Sequence, residues 1–200
     1  MSEFRIDSNE ALEVLVSMIT ISLAFAIAIS GVSVLSVRLA STFLLIFATA
    51  GVGFIAHEMA HKYVAIKYGF QARYVMWALG LLLALIMAIL IGFVFAAPGA
   101  TYIWGKNATS EENGKISIAG PLTNLILAFI FAPMIFIPFL SEVGVYGVYI
   151  NLFLGAFNLI PIFPLDGSKV LAWNWKIWLG AMIVFVGLLF LVFPMLSSVI

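Results

Sequence analysis

The only two histidines of the chain stand four residues apart, in His57-Glu58-Met59-Ala60-His61, inside an apolar stretch. On a helix, positions i and i+4 share one face, so both imidazoles can reach a single metal ion. Glu58 follows His57 directly, where its carboxylate can act as general base on a water that the metal polarises. Two histidines placed at random fall at this spacing about once in a hundred times; requiring one of the seven glutamates after the first makes it roughly one in three thousand. The bland reading is a polar group bonding between helices, as membrane bundles do. It would strand a glutamate and two imidazoles together in an apolar medium.

Zinc catalysis takes three protein ligands and keeps a fourth position open. The chain has no cysteine and two aspartates, so a third ligand has to be a carboxylate. Asp7 lies in a polar N-terminal segment. Asp166 follows Pro161 and Pro164 and precedes Gly167. The prolines stop regular helix and the glycine frees the backbone, so a carboxylate there can turn inward. An ordinary interfacial turn uses the same residue types. Beside the histidine pair, Asp166 is the candidate third ligand.

The elements that position these groups are set by composition. The chain is 64% hydrophobic and 9% charged, with zero formal net charge. A soluble domain is roughly half apolar and a quarter charged, so these 200 residues are mostly spent crossing lipid. The charge balance gives no hint of nucleic acid. The expectation is an all-α polytopic membrane protein, a single integral membrane domain over residues 1–200 with five to six spans. The first covers 11–37 and is longer than the core of a signal peptide, so it reads as a retained helix. The histidine span covers 39–68. An uncharged stretch follows at 74–105, then spans at 116–140, 145–167 and 175–197.

Three motifs carry a resemblance. HEMAH, Asn158-Leu159-Ile160-Pro161-Ile162-Phe163-Pro164-Leu165-Asp166-Gly167 and Gly120-Pro121-Leu122-Thr123-Asn124 resemble the HExxH, NxxPxxxxDG and GPxxN signatures of the site-2 protease family. These are intramembrane zinc metalloproteases, and the likeness covers about residues 39–175. It implies one zinc per chain on His57, His61 and Asp166, Glu58 activating water, and Asn158 holding the substrate carbonyl or its oxyanion. For Gly120, Pro121 and Asn124, close packing and a kink are the expected roles. Ser168 departs from the second glycine that many members carry after the DG pair, which leaves ligation untouched and alters the turn.

The stretch 74–105 decides whether such a site can close. The histidines and Asp166 both lie near the C-terminal ends of their spans, so those spans must run parallel to meet. That requires an odd number of crossings between them, which a single crossing by 74–105 would spoil and a return would satisfy. With a return, Arg5, Lys62, Lys67, Arg73, Lys106, Lys115, Lys169 and Lys176 share one side against Arg38 alone, and the positive-inside rule makes that side cytoplasmic. Within the stretch, residues 98–105 have strand-like composition. They form either an edge beside the site, able to pair with an unwound substrate, or an interfacial loop anchored by Tyr102 and Trp104.

The expected function is cleavage of transmembrane protein substrates within the lipid bilayer of the cell membrane, from the cytoplasmic side. A peptidase cutting loops outside the bilayer would use a downstream glutamate ligand that is not evident here. A non-proteolytic metal carrier or scaffold could use the same three ligands, but it gains nothing from a base at Glu58.

Overall fold

The computed structural model describes residues 3–31, 37–94 and 98–196. Helix α1 (Ser8–Ser30) starts where the Asp7 side chain accepts the Glu10 N–H at 2.8 Å, a regular N-cap. Helices α2 (Val37–Ile46) and α3 (Val52–Lys67) are joined by a π-helical turn at Phe47–Gly51, so the histidine span is one long helical element with a widened turn. At its end, Gly69 adopts φ +82°, and Phe70 N–H returns to the Ala65 carbonyl at 3.1 Å. This left-handed cap turns the chain out of α3 into strand β1 (Gln71–Met76).

Helix α4 (Ala78–Ile91) and strand β2 (Gly99–Trp104) follow. The strands pair antiparallel, from Gln71 opposite Trp104 to Met76 opposite Gly99. The chain therefore comes back beside the point it left. β2 lies within the stretch whose composition suggested a strand, while its partner β1 carries no such signal.

Helix α5 (Ser110–Phe131) opens with a capping box between Thr109 and Glu112 and runs on as a 3-10 turn to Phe136. Helix α6 (Ser141–Asn158) ends in the proline segment, where the Phe163–Pro164 peptide is cis. Helices α7 (Asp166–Trp173) and α8 (Trp175–Leu196) complete the chain. α5 is the central element, packed against α3 on one side and against α6 and α7 on the other.

Among the described residues, four helices are long and apolar enough to cross a membrane: Ser8–Ser30, Val37–Lys67, Ser110–Phe136 and Trp175–Met195. The protein is thus an all-α polytopic membrane protein with a small two-stranded sheet. Five to six spans were expected from the sequence. The difference comes from α4, which has 14 residues, and from α6, whose 18 residues include Glu142, Asn151 and Asn158. Residues 32–36 of the first expected span, 95–97 of the returning stretch and 197 of the last lie outside the described residues.

Candidate metal centre

His57 and His61 lie one turn apart on α3, with ring centroids 4.6 Å from each other. Both are buried, as are Glu58 and Asp166. Asp166 is the first residue of α7 rather than part of an interfacial turn. Three contacts seat that helix start. The Ser168 hydroxyl donates to the Leu165 carbonyl at 2.7 Å, and Trp178 Nε1 donates to the Leu159 carbonyl at 2.8 Å. Gly167 lies so close to the Leu159 and Ile160 carbonyls that a Cβ there has no room. Ser168 thus closes the turn with its own hydrogen bond.

The Asp166 Oδ2 atom stands 3.2 Å from His57 Nε2 and 3.1 Å from His61 Nε2. Donor atoms bound at 2.0–2.2 Å around a tetrahedral zinc ion sit roughly 3.3 Å apart. Each histidine nitrogen therefore already stands from the Asp166 oxygen at the spacing of two ligands on one zinc ion, and the three ligand atoms lie within 4.8 Å of one another. Both rings are oriented for it. His61 Nδ1 donates to the Ile116 carbonyl at 2.8 Å, and His57 Nδ1 donates to Asn124 Oδ1 at 2.6 Å. With the protons held on Nδ1, the Nε2 lone pairs face the carboxylate.

α5 can approach this closely because residue 120 is glycine. A Cβ at Gly120 would lie 2.5 Å from Nε2 of both histidines, against the two candidate ligand atoms themselves. Close packing was the role expected of the GPxxN motif, and it describes Gly120. For Asn124 it is incomplete, because the Asn124 side chain orients a ring that faces the metal position.

Glu58 points to a different neighbour. Its Oε2 accepts the Thr101 N–H at 2.8 Å and the Thr101 hydroxyl at 2.9 Å, so the carboxylate is held against the outer edge of β2. This places the base between the histidine helix and the strand, and Thr101 was not foreseen from the sequence. Asn158 is half-buried at the end of α6, and its Nδ2 donates along its own helix to the Leu154 carbonyl at 2.9 Å. Its hydrogen bond is the back-bond of a membrane-helix amide, not a link to the His57–His61–Asp166 group. Asn151, about two turns earlier on α6, also escaped the sequence reading; it donates to the Gly147 carbonyl at 2.8 Å and accepts from Asn124 Nδ2 at 3.0 Å.

The fold and this group define a membrane protein with a buried two-histidine, one-carboxylate cluster beside a glutamate. Comparison with known proteins goes further. A protein of Methanocaldococcus jannaschii, provisionally named a zinc metalloprotease, is 43% identical over 182 residues, covering 89% of this chain and 91% of its own. A second protein of that organism, named a zinc metalloprotease, is 30% identical over 156 residues, or 74% of this chain and 38% of its own. A Bacillus subtilis relative, again provisionally named a zinc metalloprotease, is 32% identical over 140 residues, or 60% of this chain and 64% of its own. No family model and no solved structure matches the chain. The chain belongs to the same family as these proteins, the site-2 protease family that its motifs resemble.

Proposed function

We propose that this chain is a zinc-dependent endopeptidase that cuts peptide bonds within transmembrane segments of other proteins. One zinc ion per chain would be held by His57, His61 and Asp166. The reading rests above all on the convergence of two Nε2 lone pairs and one carboxylate oxygen on a single point, with Glu58 on the same helical turn.

Zinc, when bound, supplies a water acidified towards pKa ~7 and a Lewis acid for the scissile carbonyl. The chain supplies the rest. Glu58 takes the proton of the attacking water as oxygen adds to the carbonyl carbon, then returns that proton to the amine nitrogen as the C–N bond breaks. Before it can do so, its Oε2 must turn from Thr101 toward the water. Asn158 would oppose the negative charge that grows on the carbonyl oxygen, and for this its amide must leave the Leu154 carbonyl.

A peptide in a membrane helix has its backbone hydrogen bonds made and its carbonyls shielded, so the substrate has to unwind locally. The outer edge of β2 offers backbone groups to an unwound segment. The active end faces the cytoplasm of the cell membrane, in keeping with the eight-to-one distribution of Lys and Arg. Released products would be cytoplasmic.

The test is to reconstitute purified protein in lipid vesicles with single-span membrane proteins and to map product ends by mass spectrometry. Glu58→Gln serves as the inactive control. New ends inside a span, absent with Glu58→Gln, are expected; ends confined to soluble loops would sink the intramembrane reading.

A further inference from the structure

We propose that Asn151, on α6, is a positioning residue for the metal ligand His57 and acts on it through Asn124. Asn151 belongs to none of the three motifs. The proposal rests on the metal-centre reading for its effect on zinc, and on hydrogen-bond chemistry alone for its effect on the imidazole.

An amide oxygen and an amide nitrogen are told apart by what they face. Asn124 and Asn151 are both fully buried, where an unpaired N–H costs free energy. One end of the Asn151 amide lies 2.8 Å from the Gly147 carbonyl oxygen, which can only accept. That end is the nitrogen, so Asn151 turns its oxygen toward Asn124. Asn124 in turn meets two acceptors at one end, the Gly53 carbonyl at 3.1 Å and Asn151 Oδ1 at 3.0 Å, and they use both of its N–H groups.

The other end of Asn124 is therefore oxygen, 2.6 Å from His57 Nδ1. Facing an acceptor, Nδ1 has to carry the proton. The lone pair of the ring is left on Nε2, the atom beside Asp166 and Gly120. Direction thus passes from a backbone carbonyl of α6, through two side chains, to a metal-facing nitrogen on α3.

Removing Asn151 leaves the Asn124 amide held by Gly53 alone. A flipped amide would offer N–H to Nδ1, move the ring proton to Nε2 and block ligation. With Asn151 in place, the flip breaks both N–H bonds and sets two oxygens against Oδ1. Asn151 thus adds to the cost of the wrong tautomer that the Gly53 carbonyl alone would set.

The test combines zinc affinity, by competition with a chelator, with the exchange rate of the His57 Nδ1 proton in nitrogen-15-labelled protein. Asn151→Leu should weaken zinc binding about tenfold, the lower end of what outer-sphere partners contribute, and speed exchange of the Nδ1 proton. Asn151→Asp keeps an oxygen toward Asn124 and should hold zinc within about threefold of wild type. A role in packing alone gives the opposite order, since leucine suits an apolar bundle better than a carboxyl group. Wild-type affinity in Asn151→Leu would overturn the proposal, as would weaker binding in Asn151→Asp than in Asn151→Leu. If Asn151→Leu does not fold, Asn151→Ala carries the same expectation. Should wild type hold no zinc, the metal-centre reading fails on its own; an unaltered Nδ1 proton in Asn151→Leu would then overturn the positioning role separately.

Discussion

His61 and Lys62 are neighbours in sequence, yet they serve two buried polar clusters on different faces of α3. Lys62 points toward α1. Its Nζ donates to both Glu10 oxygens, at 2.7 and 2.5 Å, and to the Arg5 carbonyl at 2.6 Å, which accounts for all three of its protons. Glu10 Oε1 also accepts the Tyr74 N–H at 2.8 Å, and Glu13 accepts the Met76 N–H at 2.9 Å, so α1 carboxylates cap the outer edge of β1. Lys62 and both Glu10 oxygens are fully paired within this cluster.

His61 points the other way, toward α5 and α7. There the second nitrogens are committed to Ile116 and Asn124, while both Nε2 atoms and the Asp166 carboxylate converge with binding capacity left over. A closed polar cluster holds helices together; an open one, with lone pairs aimed at one point, is built to hold something else. The same contrast separates the two strand edges. β1 is sealed by Glu10 and Glu13, whereas β2 carries Glu58, a group that has another task in the proposed chemistry.

If that contrast is sound, substitutions in the two clusters should fail differently. Glu58→Gln should lower peptidase turnover by at least ~100-fold, the scale of general base catalysis, without loss of zinc. Loss of zinc in that variant would make Glu58 a ligand and dissolve the distinction between base and metal group. Lys62→Met should cost about 3–5 kcal/mol of stability in chemical unfolding, because it leaves the Glu10 carboxylate buried and unpaired. Zinc per folded chain should stay the same, and adding Glu10→Gln should restore much of the stability. A Lys62→Met protein that is stable but zinc-free would merge the two clusters into one.

Thr101→Val removes the hydroxyl from Glu58 and keeps the strand N–H. Turnover should drop by roughly tenfold or less, the worth of one hydrogen bond, with zinc unchanged. An effect as large as that of Glu58→Gln would mean that the hydroxyl does more than hold the base. The smallest effect is expected at Asp7, whose carboxyl the Glu10 N–H holds below its ordinary range. A depressed carboxyl stabilises above its unfolded pKa and ceases to as pH falls through the folded value. Asp7→Ala should therefore melt earlier at neutral pH, and its difference from wild type should close only below the ordinary carboxylate range.

The open cluster was far more legible in the sequence than the closed one. His57, Glu58 and His61 stand out because ionisable residues are rare in an apolar stretch and their spacing has a chemical meaning. Asp166 stands out because so few carboxylates compete with it. Lys62 and Glu10 gave no such signal: each looks like a solvated residue near a helix end, and only the packing of α1 on α3 buries them together. Asn124 and Asn151 were underrated for a related reason. A lone asparagine in a membrane helix usually bonds to its neighbours, and its partner at Gly53 or Gly147 is a backbone atom with no sequence identity. β1 was missed because it follows α3 after one glycine turn and shows no alternation, and its edge is completed by side chains from α1.

The most direct measurement of the metal centre is zinc per chain in purified wild type, Glu58→Gln, Gly120→Ala and Asp166→Ala. Three protein ligands and a separate base predict about one zinc in wild type and in Glu58→Gln. Asp166→Ala should hold much less, and so should Gly120→Ala, whose new methyl would press against both Nε2 atoms. Full zinc in Asp166→Ala would contradict the ligand set and, with it, the convergence of α3 and α7 on one ion.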